Sequence, residues 1–292
     1  MIYDIRQVTT CAYASPVAHA HHVLRLTPVN RPGQRVHLSA LQIEPPPVKS
    51  REGEDFFGNR LTSVTINDAH SALAVKVSAR IAVDPVALPD PATAPAWETV
   101  RDEVFAATDI APQSPVHFLF ASRMVSLDPE IRDYARQSFT PGRSIVDAAL
   151  DLNHRIKTDM TYEIGATTVT TTAPMSFALR RGVCQDFAHI MIAGLRGLGL
   201  PAAYVSGYLR TIPPPGKPRL QGADATHAWV SVWCGAELGW VGFDPTNDIM
   251  IENDHIVLAT GRDFSDVSPI DGIIVGSRKQ KLGVAVDVLP VE

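Results

Sequence analysis

Residues 182–209 read GVCQDFAHIMIAGLRGLGLPAAYVSGYL. A glycine precedes a cysteine. A long apolar run follows and closes at Leu200-Pro201, and a second run rich in β-branched and aromatic residues comes next. At about 100° per residue, Phe187, Ala188, Met191, Leu195 and Leu198 lie within roughly 60° of Cys184, while Gln185, Asp186, His189 and Arg196 gather on another flank. A helix that is apolar almost all round, with one narrow polar stripe, is expected to be buried and central. The strand pattern after Pro201 marks a change to sheet. Gly182 is expected to break this helix from a preceding one, TTAPMSFALRR (171–181).

Outward from this stretch the pattern is helical upstream and extended downstream. AWETVRDEVFAA (96–107), DPEIRDYARQ (128–137) and SIVDAALDLNHRIKTDM (144–160) carry apolar residues at threes and fours, with helix starts at Asp128-Pro129 and Ser144. HAWVSVWC (227–234), GWVGFDP (239–245), HIVLATG (255–261), IDGIIVG (270–276) and KLGVAVDVLPV (281–291) read as strands. Residues 1–84 read as strands throughout, broken by turn residues such as Asn59. The expected class is α+β: an N-terminal β-sandwich over 1–84, a Pro/Ala-rich linker over 85–97, and a core over 98–292 of helices packed on an antiparallel sheet with its C-terminal strands. The polar stretch TIPPPGKPRLQGAD (211–224) is expected to be a functional loop.

The formal net charge is −5, and the basic clusters Arg180-Arg181 and SRKQK (277–281) are short. Neither nucleic acid nor a membrane is expected as partner. Three cysteines, at 11, 184 and 234, form no CxxC pair or disulfide framework, so a reducing compartment is expected. No basic segment leading into an apolar core opens the chain, and no apolar run reaches the roughly 20 residues of a membrane span. A cytoplasmic protein is the expectation. The oligomeric state is not legible.

Cys184 starts its helix, the end at which unpaired N–H groups and the dipole favour a thiolate. Free cysteine is more often an inert core residue, so the nucleophile reading needs a base and an orienting group. His189 is five residues on, about 140° around the helix, and faces elsewhere. His227 and Asp244 fit better. A two-residue Gly235-Ala236 turn would place them directly opposite in a hairpin, and a four-residue loop would leave them diagonal on the same face. An odd-length loop would separate them. Trp229 and Trp233 share the strand face of His227 and are candidates for lining a substrate cleft, or plain core aromatics.

The blocks GVCQDFAH (182–189), GLPAAYVSGYL (199–209), THAWVSVW (226–233) and GWVGFDPTND (239–248) resemble the bacterial transglutaminase-like superfamily, whose core is similar to papain-like cysteine proteases. YASPVAHAHHVLRLTPVNRPGQRVHLSALQIEPPP (13–47) and DFFGNRLTSVTI (55–66) look like the strand domain that precedes this core in bacterial members. The resemblance implies a Cys184, His227, Asp244 triad acting on amide or peptide bonds of a peptide or protein through a thioester, with the Cys184 N–H as an oxyanion donor. Family membership does not decide between hydrolysis, the first expectation, and amine cross-linking, the second; the chain has no calcium-binding run, and no cofactor is expected. Two other classes stay in view. One is a non-catalytic binding scaffold. The other is a metal hydrolase using His19 and His21 of HAHH, around which no further ligand spacing completes a site, so no metal is expected.

Overall fold

The computed structural model describes residues 1–85, 87–211, 222 and 225–291. Nearly all of the 211–224 stretch read as a functional loop lies outside the described residues.

The N-terminal strands are β1 (Ile2–Val17), β2 (His19–Leu24), β3 (Gln34–Glu44), β4 (Lys49–Glu54), β5 (Arg60–Ile66) and β6 (His70–Val83). There follow α1 (Trp97–Phe105), a 3-10 turn (Pro115–Phe118), α2 (Pro129–Arg136), α3 (Ile145–Asp159), β7 (Thr161–Tyr162), α4 (Ala173–Leu179), β8 (Arg181–Gly182) and α5 (Cys184–Gly197). The chain ends with β9 (Ala202–Leu209), β10 (Ala225–Trp233), β11 (Trp240–Asp244), β12 (Ile249–Met250), β13 (His255–Gly261), α6 (Phe264–Val267), β14 (Ile270–Val275) and β15 (Gln280–Val291).

Two four-stranded sheets, ordered β15-β1-β6-β3 and β14-β2-β5-β4, make the sandwich. Its interior is built by alternation. Cys11, Tyr13, Leu73, Val75 and Val77 of one sheet meet Ala20, Leu24, Val64 and Ile66 of the other. The last two strands depart from expectation. β14 pairs with β2, and β15 pairs with β1 along twelve residues, Ile2↔Val291 to Tyr13↔Gln280. They complete the N-terminal sheets instead of extending the core, because β1 and β2 otherwise present open edges and β15 supplies buried Val286 and Val288 to the same face as Tyr3 and Ile5.

The second sheet system is antiparallel, ordered β12-β11-β10-β9-β13. Helix α5 lies on it, and every residue from Gln185 to Arg196 is buried. Each large apolar side chain so buried contributes about 1.5–3 kcal/mol. Helix α2 crosses α5 closely enough that a Cβ on Gly194 would stand 2.7 Å from the Ala135 Cβ. Asp128 caps α2 by accepting from the Glu130 and Ile131 amides at 2.9 and 3.1 Å, as its position before Pro129 predicts.

Sandwich and core are bonded to one another. The Tyr208 hydroxyl donates to Gln7 Oε1 at 2.6 Å and the Tyr3 hydroxyl to Asp254 Oδ1 at 2.6 Å. Asn59 is more than a turn residue: it is fully buried, donates to the Thr260 carbonyl at 2.7 Å and accepts from the Thr260 amide at 2.8 Å. These contacts fix β13, whose first residue turns out to matter at the site.

Candidate active site

Cys184 is the first residue of α5, half-buried. Asp186 turns back over the helix start. Its Oδ2 accepts from the Val183 amide at 2.8 Å and the Thr167 hydroxyl at 2.6 Å. A Cβ at Gly182 would lie 2.6 Å from that oxygen. Gly182 therefore does not end a helix. α4 closes at Leu179 through Arg180 in the left-handed region (φ 55°), and Gly182 sits in β8, where its missing side chain makes room for the capping carboxylate. Gln185 reaches the Val169 carbonyl at 3.2 Å, so both residues after the cysteine hold the helix start in place.

The hairpin register departs from the two-residue turn. Trp233 pairs with Trp240 and Val230 with Phe243. Cys234 N–H donates to the Gly239 carbonyl at 2.8 Å, leaving Gly235–Leu238 as a four-residue loop that opens on left-handed Gly235 (φ 97°) and is followed by left-handed Gly239 (φ 66°). The shift of two residues keeps parity, so His227 and Asp244 are diagonal neighbours on one face. His227 Nε2 and Asp244 Oδ2 are 2.7 Å apart. Asp244 takes Nε2, which leaves Nδ1 as the nitrogen available to Cys184, whose thiol is close enough to help raise the imidazole.

Five donors converge on the Asp244 carboxylate. Oδ1 accepts from the Thr246 and Asn247 amides at 2.9 and 3.2 Å. Oδ2 accepts from Asn247 Nδ2 at 2.6 Å, His227 at 2.7 Å and His255 Nε2 at 3.2 Å. Burial alone would raise its pKa, but the bonds from His227 and His255, the His227 charge and Asn247 hold it well below the usual carboxylate range. For His227, burial opposes the charged form. The hydrogen bond to Asp244, then that to Cys184 and the charges of both, outweigh it and raise the imidazole to about 10.

Trp229 is buried, its ring stacked on His227 (6.3 Å between centroids, 28° between planes) and set edge-on to His255 at 5.2 Å. Trp233 is not brought to this group. It lies six residues along β10, about 20 Å away by strand rise, and packs edge-on against Trp240 at 5.5 Å. His189 is fully buried elsewhere, accepting from the Phe264 amide at 3.2 Å, and burial pushes its imidazole down to about 4.

Asn247 and His255 were missed by reasoning from sequence. Asn247 carried a signal, three residues from Asp244 in an Asp-Pro-Thr-Asn turn. His255 carried none, since its strand lies beyond β9 in the sheet. It reaches Asp244 because β9 has a glycine at the crossing. A Cβ on Gly207 would stand 2.1 Å from the Ile256 carbonyl oxygen and 2.5 Å from the Trp229 ring. Gly207→Ala is therefore expected to push β13 and Trp229 apart and destabilise the fold by about 2 kcal/mol or more. A thermal melt, with near-ultraviolet circular dichroism reporting the tryptophan, checks this.

His227, Asp244 and His255 are also the one trio of histidine, cysteine or acidic residues, among the described residues, whose ligand atoms lie within 4.8 Å of one another. Within it, both histidines are hydrogen-bonded through Nε2 to Asp244 Oδ2. His19 and His21 face outward on β2, bonded to Asn67 at 2.8 Å and Thr65 at 3.2 Å. No helix among the described residues is long and apolar enough to cross a membrane.

Comparison with known proteins gives the following. The family described as "Bacterial transglutaminase-like N-terminal region" matches residues 3–82, and "Transglutaminase-like superfamily" matches residues 132–245. An uncharacterized protein of Mycobacterium tuberculosis is 38% identical over 298 residues, covering 99% of this chain and 93% of that protein. A protein-glutamine gamma-glutamyltransferase of Pseudomonas aeruginosa is 31% identical over 123 residues, 42% of this chain and 18% of that one. The crystal structure of a candidate cysteine protease from Cytophaga hutchinsonii superposes with a TM-score of 0.78 at 22% identity, covering all of this chain and 92% of the other.

Proposed function

We infer that this chain, which belongs to the transglutaminase-like superfamily, is a cysteine enzyme that hydrolyses amide or peptide bonds of a peptide or protein. The observation that carries the reading is a half-buried thiol at a helix start, beside an imidazole whose Nε2 a buried carboxylate holds at 2.7 Å.

In this reading the Cys184 thiolate attacks the amide carbonyl carbon, and the carbonyl electron pair moves onto oxygen. The Cys184 amide makes no hydrogen bond among the described residues and is the oxyanion donor we assign. Collapse breaks the C–N bond, and the leaving nitrogen takes the His227 Nδ1 proton, giving a thioester and an amine. Water then yields a proton to Nδ1 as its oxygen attacks the thioester. Acid and thiolate result, with the imidazolium restored. Asp244 stays ionised throughout and stabilises each imidazolium.

Transfer to a primary amine in place of water is the second reading, favoured by the likeness of the core to the Pseudomonas glutamyltransferase. The three thiols are unpaired, with Cys11 and Cys234 buried, which supports a reducing compartment such as the cytoplasm.

Glutamine-bearing and ordinary peptides, offered with and without a primary amine, separate the readings. We expect ammonia release or peptide cleavage that needs no amine. Covalent amine incorporation outrunning reaction with water would establish the transfer reading instead. Iodoacetamide near neutral pH is expected to label Cys184 before Cys11 and Cys234. Equal labelling in the folded protein would leave only a scaffold.

A further inference from the structure

The carboxylate that orients His227 carries a second imidazole. His255 Nε2 lies 3.2 Å from the same Asp244 Oδ2 that accepts from His227, and the His255 side chain is 1% exposed. An ionised carboxylate only accepts, so that nitrogen bears the hydrogen. The other ring nitrogen, Nδ1, is buried without a hydrogen-bond partner. An apolar residue would avoid that unsatisfied atom, so the Nε2–H bond is what a histidine here adds.

Aiming the carboxylate does not require this bond. The Thr246 and Asn247 amides fix Oδ1, and Asn247 Nδ2 already holds Oδ2. What His255 contributes is a further donor on the oxygen facing His227. Each donor draws charge from a carboxylate oxygen and lowers its affinity for a proton. The groups around His255 leave this as its main polar contact. From β10 come His227, its ring 6.0 Å away, and the neutral Trp229. From β11 comes Asp244, and from β9 Leu209 in register. The preceding Asp254 is engaged by the Tyr3 hydroxyl and Arg210.

We propose that His255 is a positioning residue of this site, whose Nε2–H shares Asp244 Oδ2 with His227 and so limits how tightly Asp244 holds the His227 proton. The proposal rests on the reading of Cys184, His227 and Asp244 given above. With His255 sharing the oxygen, the imidazolium is stable enough to pair with the thiolate and acidic enough to protonate the leaving nitrogen. Without it, His227 keeps its proton too well.

The test compares wild type with His255→Phe, which fills the space without a donor, and His255→Gln, whose amide nitrogen restores one. The low-field proton resonance of His227 Nε2–H reports the bond to Asp244. It is expected to move further downfield in His255→Phe. The kcat on a peptide that the wild type turns over should fall about tenfold, the factor for one unit of proton affinity, at unchanged KM. Gln should restore both. A resonance unchanged, shifted upfield or lost in a folded Phe variant overturns the proposal, because a merely packing role predicts one of those. If Phe does not fold, His255→Met removes the donor with a pliable side chain, and the same readouts apply. Carboxymethylation by iodoacetate keeps the two readings apart. Wild-type Cys184 reacting no faster than Cys11 and Cys234 overturns the site itself, whereas fast reaction with an unmoved resonance overturns only His255.

Discussion

Cys184→Ala is expected to abolish turnover of every substrate the wild type accepts, without unfolding the protein. In the proposed reading the Cys184 thiol is the group that forms the thioester. Removing the nucleophile of such a set costs about 10⁶-fold in kcat, which is below detection for an ordinary assay. Stability should change by less than about 1 kcal/mol, since the side chain is only half-buried at a helix start whose cap is made by Asp186 and not by the cysteine. A second consequence separates loss of the nucleophile from general damage. Cys184 helps raise His227, so the imidazole should titrate below about 10 in the variant, while the bond to Asp244 still holds it above an ordinary histidine. Carbon-bound imidazole proton resonances followed against pH measure this. Retained turnover in Cys184→Ala would place the chemistry elsewhere.

How much of the site was legible follows from which inferences survive small errors. The burial of α5 rests on fourteen residues of periodicity and tolerates a misplaced end. The juxtaposition of His227 and Asp244 rests on parity alone. The turn is two residues longer than Gly235-Ala236, yet an even shift leaves both side chains on one face, and the 2.7 Å contact forms diagonally instead of directly across. Trp233 shows the limit of the same argument, because parity fixes the face but not the distance along the strand. The partner of a strand is less legible still. Nothing local in KLGVAVDVLPV distinguishes pairing with β11 from pairing with β1, since the alternation suits any half-buried antiparallel neighbour. The choice is made by long-range edges left open. His255 was out of reach for a related reason. It arrives through a strand two places away in the sheet, across a glycine whose importance is visible only when the Trp229 ring lies over it.

Asp244→Asn is expected to lower kcat about 10³- to 10⁴-fold, near the loss seen when the orienting acid of a nucleophilic triad is made an amide. In other settings an asparagine can orient a catalytic histidine, and the five donors on Asp244 explain why it should fail here. Both oxygens are acceptors in full use. An amide must turn its NH2 either toward the Thr246 and Asn247 amides or toward His227, His255 and Asn247 Nδ2, and each choice sets donor against donor. The anion that helps hold His227 up to about 10 is also gone, so the alkaline limb of activity should move down toward the ordinary histidine value of 6.5. Stability should follow the same pair. Folded His227 is raised, so its contribution is complete below 6.5 and is lost as pH rises through about 10. Folded Asp244 is depressed, so its contribution is present above 3.8 and is lost as pH falls through its lower folded value. These are two views of one interaction and count once. The deficit of the variant, about 3 kcal/mol for an unpaired buried group, should therefore be greatest from weakly acid to neutral pH and narrow toward pH 10. Thermal melts of wild type and variant across that range decide it: a deficit independent of pH would assign Asp244 to packing and not to the imidazolium.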